Sequence, residues 1–175
     1  ALAEGVEVMH TTVLGVGERA GNTPMEETVM ALLTMYGVDV GLDYTKLTPL
    51  ANLVQKLTGV AVPLNRPIVG SALYQIESGI IASWFKNCGE KNATELFPVR
   101  WNAVGQPPAE VVMGKGSGID SVKIWLEQVG IEASEEEAIK MTAAVKSYSL
   151  KTKRLLTETE FRKIAEDVIG ERASA

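Results

Sequence analysis

Three side chains on one short segment offer the most chemistry in this sequence. Val16-Gly17-Glu18-Arg19-Ala20-Gly21-Asn22 sets a carboxylate, a cation and a carboxamide within seven residues. Asn22 carries a hard carboxamide oxygen, suited to a divalent cation that carboxylate and imidazole also hold. Asparagine before Thr-Pro equally serves to start a helix, so ligand and helix-starter readings both stand on spacing alone. Glu18, four residues earlier, offers either a proton-transfer group or half of a structural ion pair with Arg19. Gly15, Gly17 and Gly21 read as backbone requirements for positive φ or close approach, and their spacing is not that of a phosphate loop.

The segment must sit between a strand and a helix. Val6 to Val16 (VEVMHTTVLGV) is β-branched and apolar like a buried strand, so the turn lies at a strand's carboxyl end, where α/β enzymes keep their chemistry. Alternation puts His10, the only histidine, on one face with Val8 and Thr12, where a lone histidine reads as a hydrogen-bonded core residue, with a direct metal or proton-transfer role as the alternative. Either Thr11 or Thr12 lines the pocket. After the turn, Thr23-Pro24-Met25-Glu26 combines an N-cap, a proline at the first helical position and a capping-box glutamate. Apolar Met25, Val29, Leu32, Leu33 and Tyr36 come next at helical spacing to Gly37.

A second helix is expected from Asp43 to about Leu57 with Gly59 as its stop, provided Pro49 falls in the first turn or two. Val60 to Pro67 reads as a proline-broken linker, and Ser71 to Lys86 as a third helix interrupted at Ser78-Gly79. From Cys88 to Pro108 the periodicity dissolves, which marks a subdomain boundary. Three helices complete the chain: Asp120 to Val129, Ser134 to about Leu150 and Thr157 to Ile169. The last two open with Ser134-Glu-Glu-Glu137 and Thr157-Glu-Thr-Glu160. The tryptophans Trp84, Trp101 and Trp125 are packing or interface residues.

Composition narrows the partners. The chain has 175 residues, 46% of them apolar, and a formal charge of −5. An acidic chain is a poor binder of nucleic acid or anionic membrane, and the basic cluster Lys146, Lys151, Lys153 and Arg154 reads as a solvated helix face. No apolar run approaches the ~20 residues of a membrane span. The lone Cys88 cannot form an internal disulfide, and a cytoplasmic setting is expected.

The stretch from His10 to Leu32 (HTTVLGVGERAGNTPMEETVMAL) closely resembles the last strand and helix of the metal-dependent barrel shared by alpha-isopropylmalate, homocitrate and citramalate synthases. The likeness runs on through residues 37–59, 68–80 and 113–118 and loosely to the end. It implies an α/β fold: the final strand and helix of a TIM (β/α)8 barrel, residues 1–37, followed by mostly helical subdomains at 38–87 and 88–175. A complete barrel takes about 250 residues, so the remaining strands come from the same precursor or a separate chain. A start at Ala1-Leu2-Ala3-Glu4-Gly5 suits a cut chain, a processed chain or half of a split enzyme.

The resemblance also implies roles. Asn22 is a ligand of a divalent metal, Mg, Mn or Zn, whose other ligands, an aspartate and a His-x-His pair, lie on strands absent from this sequence. Glu18 joins the acid-base network acting on the acetyl group of acetyl-CoA, and Thr12 and Arg19 contact the 2-oxo acid. The implied activity is an acyltransferase of the Claisen type, working as a homo- or hetero-oligomer.

Two departures bear on this. Glu77-Ser78-Gly79-Ile80-Ile81 carries isoleucine where the family segment ends in a proton-transferring histidine, which opens an alternative: a superfamily lyase or aldolase cleaving a 2-hydroxy or 2-oxo acid. Gly114-Lys115-Gly116-Ser117-Gly118-Ile119 has Gly116 and Ile119 where the family tends to histidine and arginine, and reads as a flexible helix entry. A further alternative is a non-catalytic subunit that lends Asn22 and Glu18 to a separate barrel chain.

Overall fold

The computed structural model of the chain describes residues 2–173, with side chains through residue 170. It is a mixed helix and strand structure dominated by six α-helices among the described residues. Two compact units are formed, each from two stretches of chain: residues 1–74 with 99–108, and residues 75–98 with 109–175.

In the first unit α1 (Met25–Tyr36) and α2 (Leu47–Thr58) carry the core. Each ends on a left-handed glycine, Gly37 and Gly59, at the stops its sequence signals. A 3-10 turn, Tyr44–Lys46, precedes α2, with the Asp43 carboxylate accepting from the Thr45 amide. Pro49 falls in the first turn of α2, where a missing N–H costs nothing. Val29, Met30, Leu47, Ala51, Val69, Tyr74, Trp101 and Val104 are buried in this unit. Three polar contacts tie residues 99–108 back into it: Thr48 Oγ1 donates to Val104 O at 2.7 Å, Tyr74 OH to Val99 O at 3.0 Å, and Gln106 Nε2 to Gly70 O at 3.0 Å. Trp101 packs edge-on against Tyr74, centroids 6.0 Å apart.

Two expectations change here. Val6 to Val16 makes no strand ladder among the described residues. Residues 13–15 form a 3-10 turn, and only Thr12 pairs, in an isolated parallel bridge with Pro24. A strand needs a neighbour to take its N–H and C=O groups; among the described residues none lies beside Val6 to Thr11, and Val8 is 69% exposed. His10 is exposed too, so it is not a core residue here. The start of α1 is also different. Its cap is Pro24, which has no side chain to offer, and the orphan amide of Met25 donates instead to Thr12 O at 2.9 Å. Glu26 does not cap the helix, and its carboxylate accepts the Leu14 amide.

The second unit holds α3 (Gly79–Cys88), α4 (Ile119–Val129), α5 (Glu135–Thr152) and α6 (Glu158–Ala173). Met113, Val122, Leu126, Ala138, Met141, Val145, Leu156, Phe161 and Ala165 form its main core. Trp125 stacks edge-on against Phe161 at 5.3 Å and donates its indole N–H to Val111 O. Both expected capping boxes are present. Ser134 Oγ accepts from Glu137 N while the Glu137 carboxylate accepts from Ser134 N, and Thr157 and Glu160 repeat the exchange. The expected third helix over Ser71 to Lys86 is corrected. Only Gly79 onward is helical, and Gln75–Ile76 (β1) instead pairs in parallel with Glu110–Val111 (β2). Gly79 begins the helix rather than interrupting it. The preceding residues gain ladder hydrogen bonds from a partner 35 residues away, a pairing that local periodicity cannot report.

Candidate functional site

The segment from Thr12 to Asn22 folds back on itself by hydrogen bonds between its own backbone groups. Gly15 N donates to Thr12 O at 3.1 Å, Gly21 N to Glu18 O at 2.9 Å and Asn22 N to Gly15 O at 2.9 Å. Val16 O is the hub, accepting Thr12 Oγ1 at 2.8 Å and Asn22 Nδ2 at 3.3 Å. A carboxamide whose nitrogen is turned to one carbonyl must turn its oxygen the other way. Asn22, which is exposed, is therefore held through its nitrogen, and Oδ1 is the carboxamide atom left to serve as an acceptor. The Thr12 hydroxyl proton is committed to Val16 O, which leaves its oxygen as an acceptor.

Glu18 and Arg19 stand exposed at the tip of the same loop. The structure thus brings Thr12, Glu18, Arg19 and Asn22 onto one compact element. No ion pair joins Glu18 to Arg19 among those observed, and Arg19 occupies a left-handed conformation, φ 55°. Gly17 and Gly21 are necessary to the shape. A Cβ on Gly17 would collide with the Asn22 carboxamide, and Gly21, at φ +80°, would drive a Cβ into Gly15 O.

Sequence reasoning missed two residues that hold this loop. Leu14 is left-handed, φ 60° and ψ 10°, a conformation that costs a branched residue about 1–3 kcal/mol. Its amide donates to Glu26 Oε2 at 3.0 Å, and its carbonyl accepts from Arg66 Nη2 at 3.4 Å. Glu26 is 1% exposed, with Oε1 3.6 Å from Arg66 Nη2, while Arg66 Nε lies 2.8 Å from Glu27 Oε1. The available signal was the pair Glu26-Glu27 on the first turn of α1, two acids where a capping box uses one.

The donor set fits a metal only in part. Asn22 Oδ1 and the Glu18 carboxylate are hard oxygens on one loop, whereas a divalent cation takes about six ligands or more. No group of three or more His, Cys, Asp or Glu side chains among the described residues is arranged to hold a metal ion.

The remaining sequence candidates lie in the second unit. Ile81 sits on the first turn of α3 beside exposed Ile80, and Trp84 is exposed one turn on. Trp101 and Trp125 are taken up inside their own units, so only Trp84 is presented outward. In residues 114–118, Gly116 N donates to Glu77 Oε1 at 2.7 Å and Gly114 N to Ser117 Oγ at 2.9 Å. Arg154 of the basic cluster is engaged by Glu160. No helix among the described residues is long and apolar enough to cross a membrane.

Residues 1–54 match the family model described as HMGL-like. Over 170 residues the chain is 38% identical to a protein of Methanopyrus kandleri named as an (R)-citramalate synthase, covering 97% of this chain and 32% of that one. It is 40% identical over 171 residues to a protein of the same organism named as a 2-isopropylmalate synthase, covering 98% of this chain and 33% of that one. With homocitrate synthase 1 of Nostoc sp. the identity is 39% over 163 residues, covering 93% and 42%. The chain spans about a third to two fifths of the length of these curated relatives.

Proposed function

We propose that this chain, related over nearly its whole length to citramalate, isopropylmalate and homocitrate synthases, is part of a metal-dependent acyltransferase condensing acetyl-CoA with a 2-oxo acid. In this reading Val6 to Gly37 supply the last strand and helix of a (β/α)8 barrel. The strand then gains its ladder partners from barrel segments outside these 175 residues. The observation that supports the reading is the loop geometry: Asn22 is held through Nδ2 to Val16 O, which leaves Oδ1 as the acceptor, with Glu18 and Arg19 exposed on the same loop.

A divalent metal, when bound, polarises the carbonyl of the 2-oxo acid. Asn22 provides one oxygen to it. The Arg19 guanidinium meets the oxo-acid carboxylate, a pairing that favours a planar fork. Glu18 takes part in moving the proton from the acetyl methyl group, together with groups from outside the chain, and Thr12 braces the loop and lines the pocket. The working assembly is an oligomer. The synthase names of the relatives favour condensation over cleavage, although Ile81 removes the proton-transfer group expected there.

The proposal predicts distinct losses in the assembled enzyme. Asn22→Ala should abolish metal-dependent activity, because it removes a ligand. Glu18→Gln should leave metal and oxo-acid binding intact while lowering kcat by about 10²–10⁴-fold, the usual contribution of a positioned acid or base. Full activity in Asn22→Ala would overturn the reading. Running the assay in both directions separates condensation from a lyase, which would show no thioester-dependent product.

A further inference from the structure

We propose that Glu26 and Arg66 act as a two-sided clamp that fixes the left-handed conformation of Leu14 and thereby sets the geometry of the loop carrying Asn22. The pair are positioning residues, and their link to metal binding rests on the ligand reading of Asn22. The clamp takes both polar groups of one residue. Glu26 Oε2 accepts the Leu14 amide and Arg66 Nη2 donates to the Leu14 carbonyl, while the two side chains face each other at 3.6 Å. Leu14 φ is +60°, a region that L side chains rarely adopt and that persists only when the surroundings over-determine it.

The direction of the chain beyond Leu14 depends on this conformation. Gly15 O accepts the Asn22 amide, and Val16 O accepts both the Thr12 hydroxyl and the Asn22 carboxamide. A Leu14 relaxed to negative φ would redirect these two carbonyls together and release the carboxamide. The clamp is costly to place. Glu26 is almost fully buried, and its Oε1 has no hydrogen-bond partner among the described residues, so that oxygen is balanced by the charge of Arg66. Capping α1 does not account for it, because Glu26 Oε2 accepts the Leu14 amide and no side chain caps the start of the helix.

Arg66→Gln is the first test, since Arg66 is partly exposed and its loss is less damaging than that of Glu26. In the full chain, amide exchange at Gly15, Val16 and Asn22 should speed up about tenfold or more, while amides in α2 stay unchanged. Arg66→Lys, which keeps the charge and loses the fork, should fall between. The decisive variant adds Leu14→Gly to Arg66→Gln. Glycine adopts positive φ without a clamp, so slow exchange at Asn22 should return; a general packing role for Arg66 would not be rescued this way. Unchanged exchange in Arg66→Gln, or no recovery in the double variant, overturns the proposal. In the assembled enzyme, metal affinity should fall and recover with the exchange rates. If exchange responds and metal affinity does not, the clamp stands and the ligand role of Asn22 falls.

Discussion

The loop at residues 12–22 and the helical unit built from residues 75–98 and 109–175 achieve order by opposite means. The helical unit buries what it has: Phe161, Met141, Met113, Val122 and Val145 are almost fully enclosed. The loop buries almost nothing, leaves Glu18, Arg19 and Asn22 exposed, and relies on backbone hydrogen bonds, two left-handed non-glycine residues and the Glu26–Arg66 pair. Burial is non-directional and tolerates adjustment, whereas a hydrogen-bonded loop fixes the direction of particular atoms. Scaffold and site are thus distinguished by the forces that hold them.

The largest expected effect attacks the buried side of that comparison. Phe161→Ala should destabilise the helical unit by about 3–5 kcal/mol, the range for removing an enclosed aromatic ring, and it also removes the partner of Trp125. Trp125 fluorescence followed through chemical denaturation measures it. A loss under about 1 kcal/mol would mean that packing is not what secures this unit.

A smaller effect is expected from the loop. Gly21→Ala places a methyl group against Gly15 O at φ +80° and should cost about 1–3 kcal/mol locally. Protection of the Asn22 amide against hydrogen exchange reads it. If protection is unchanged, the loop is looser than its hydrogen bonds imply, and the contrast with the helical unit weakens.

The same contrast explains what the sequence made legible. The helices α1, α2 and α4 to α6 were readable because caps, left-handed glycine stops and 3.6-residue periodicity are local: Ser134 with Glu137, Thr157 with Glu160, Gly37 and Gly59. The loop was readable as a chemical element because Glu18, Arg19, Gly21 and Asn22 sit within five residues. The hidden features depend on partners far along the chain. β1 pairs with residues 35 positions later, and Glu26 meets an arginine 40 positions on. Reading Glu26 as a capping glutamate was reasonable locally but wrong in the folded chain, since its carboxylate accepts the Leu14 amide, twelve residues back, rather than an amide of the helix start. The strand expected at Val6 to Val16 has its pattern but no ladder partner within the described residues.

The smallest expected effect lies where the helical unit itself relies on directed polar contacts. Glu160 accepts from Arg154 Nη2 at 2.5 Å and Nη1 at 2.9 Å, from the Thr157 amide at 2.9 Å and from Tyr148 OH at 2.5 Å. Hydrogen bonding from the Arg154 guanidinium, then from the Thr157 amide and the Tyr148 hydroxyl, holds this carboxyl well below the usual carboxylate range. A depressed folded-state pKa contributes stability that is present above the unfolded value, about 4.3, and is lost as pH falls through the folded one. The unit should therefore lose stability on acidification below about pH 4.3. On the alkaline side the sign reverses. Hydrogen bonding to Glu160 raises the Tyr148 pKa, so its contribution is complete below about pH 10 and fades as pH rises through the folded value. Both limbs should be shallow, since Arg154 is half exposed and water and salt screen the pair. Glu160→Gln keeps an acceptor for Thr157 but removes the titrating charge, so its denaturation midpoint should vary less with acid than that of the parent. Parallel acid limbs for the two proteins would show that Glu160 serves only as a cap, and that even the polar contacts of this unit are secondary to its burial.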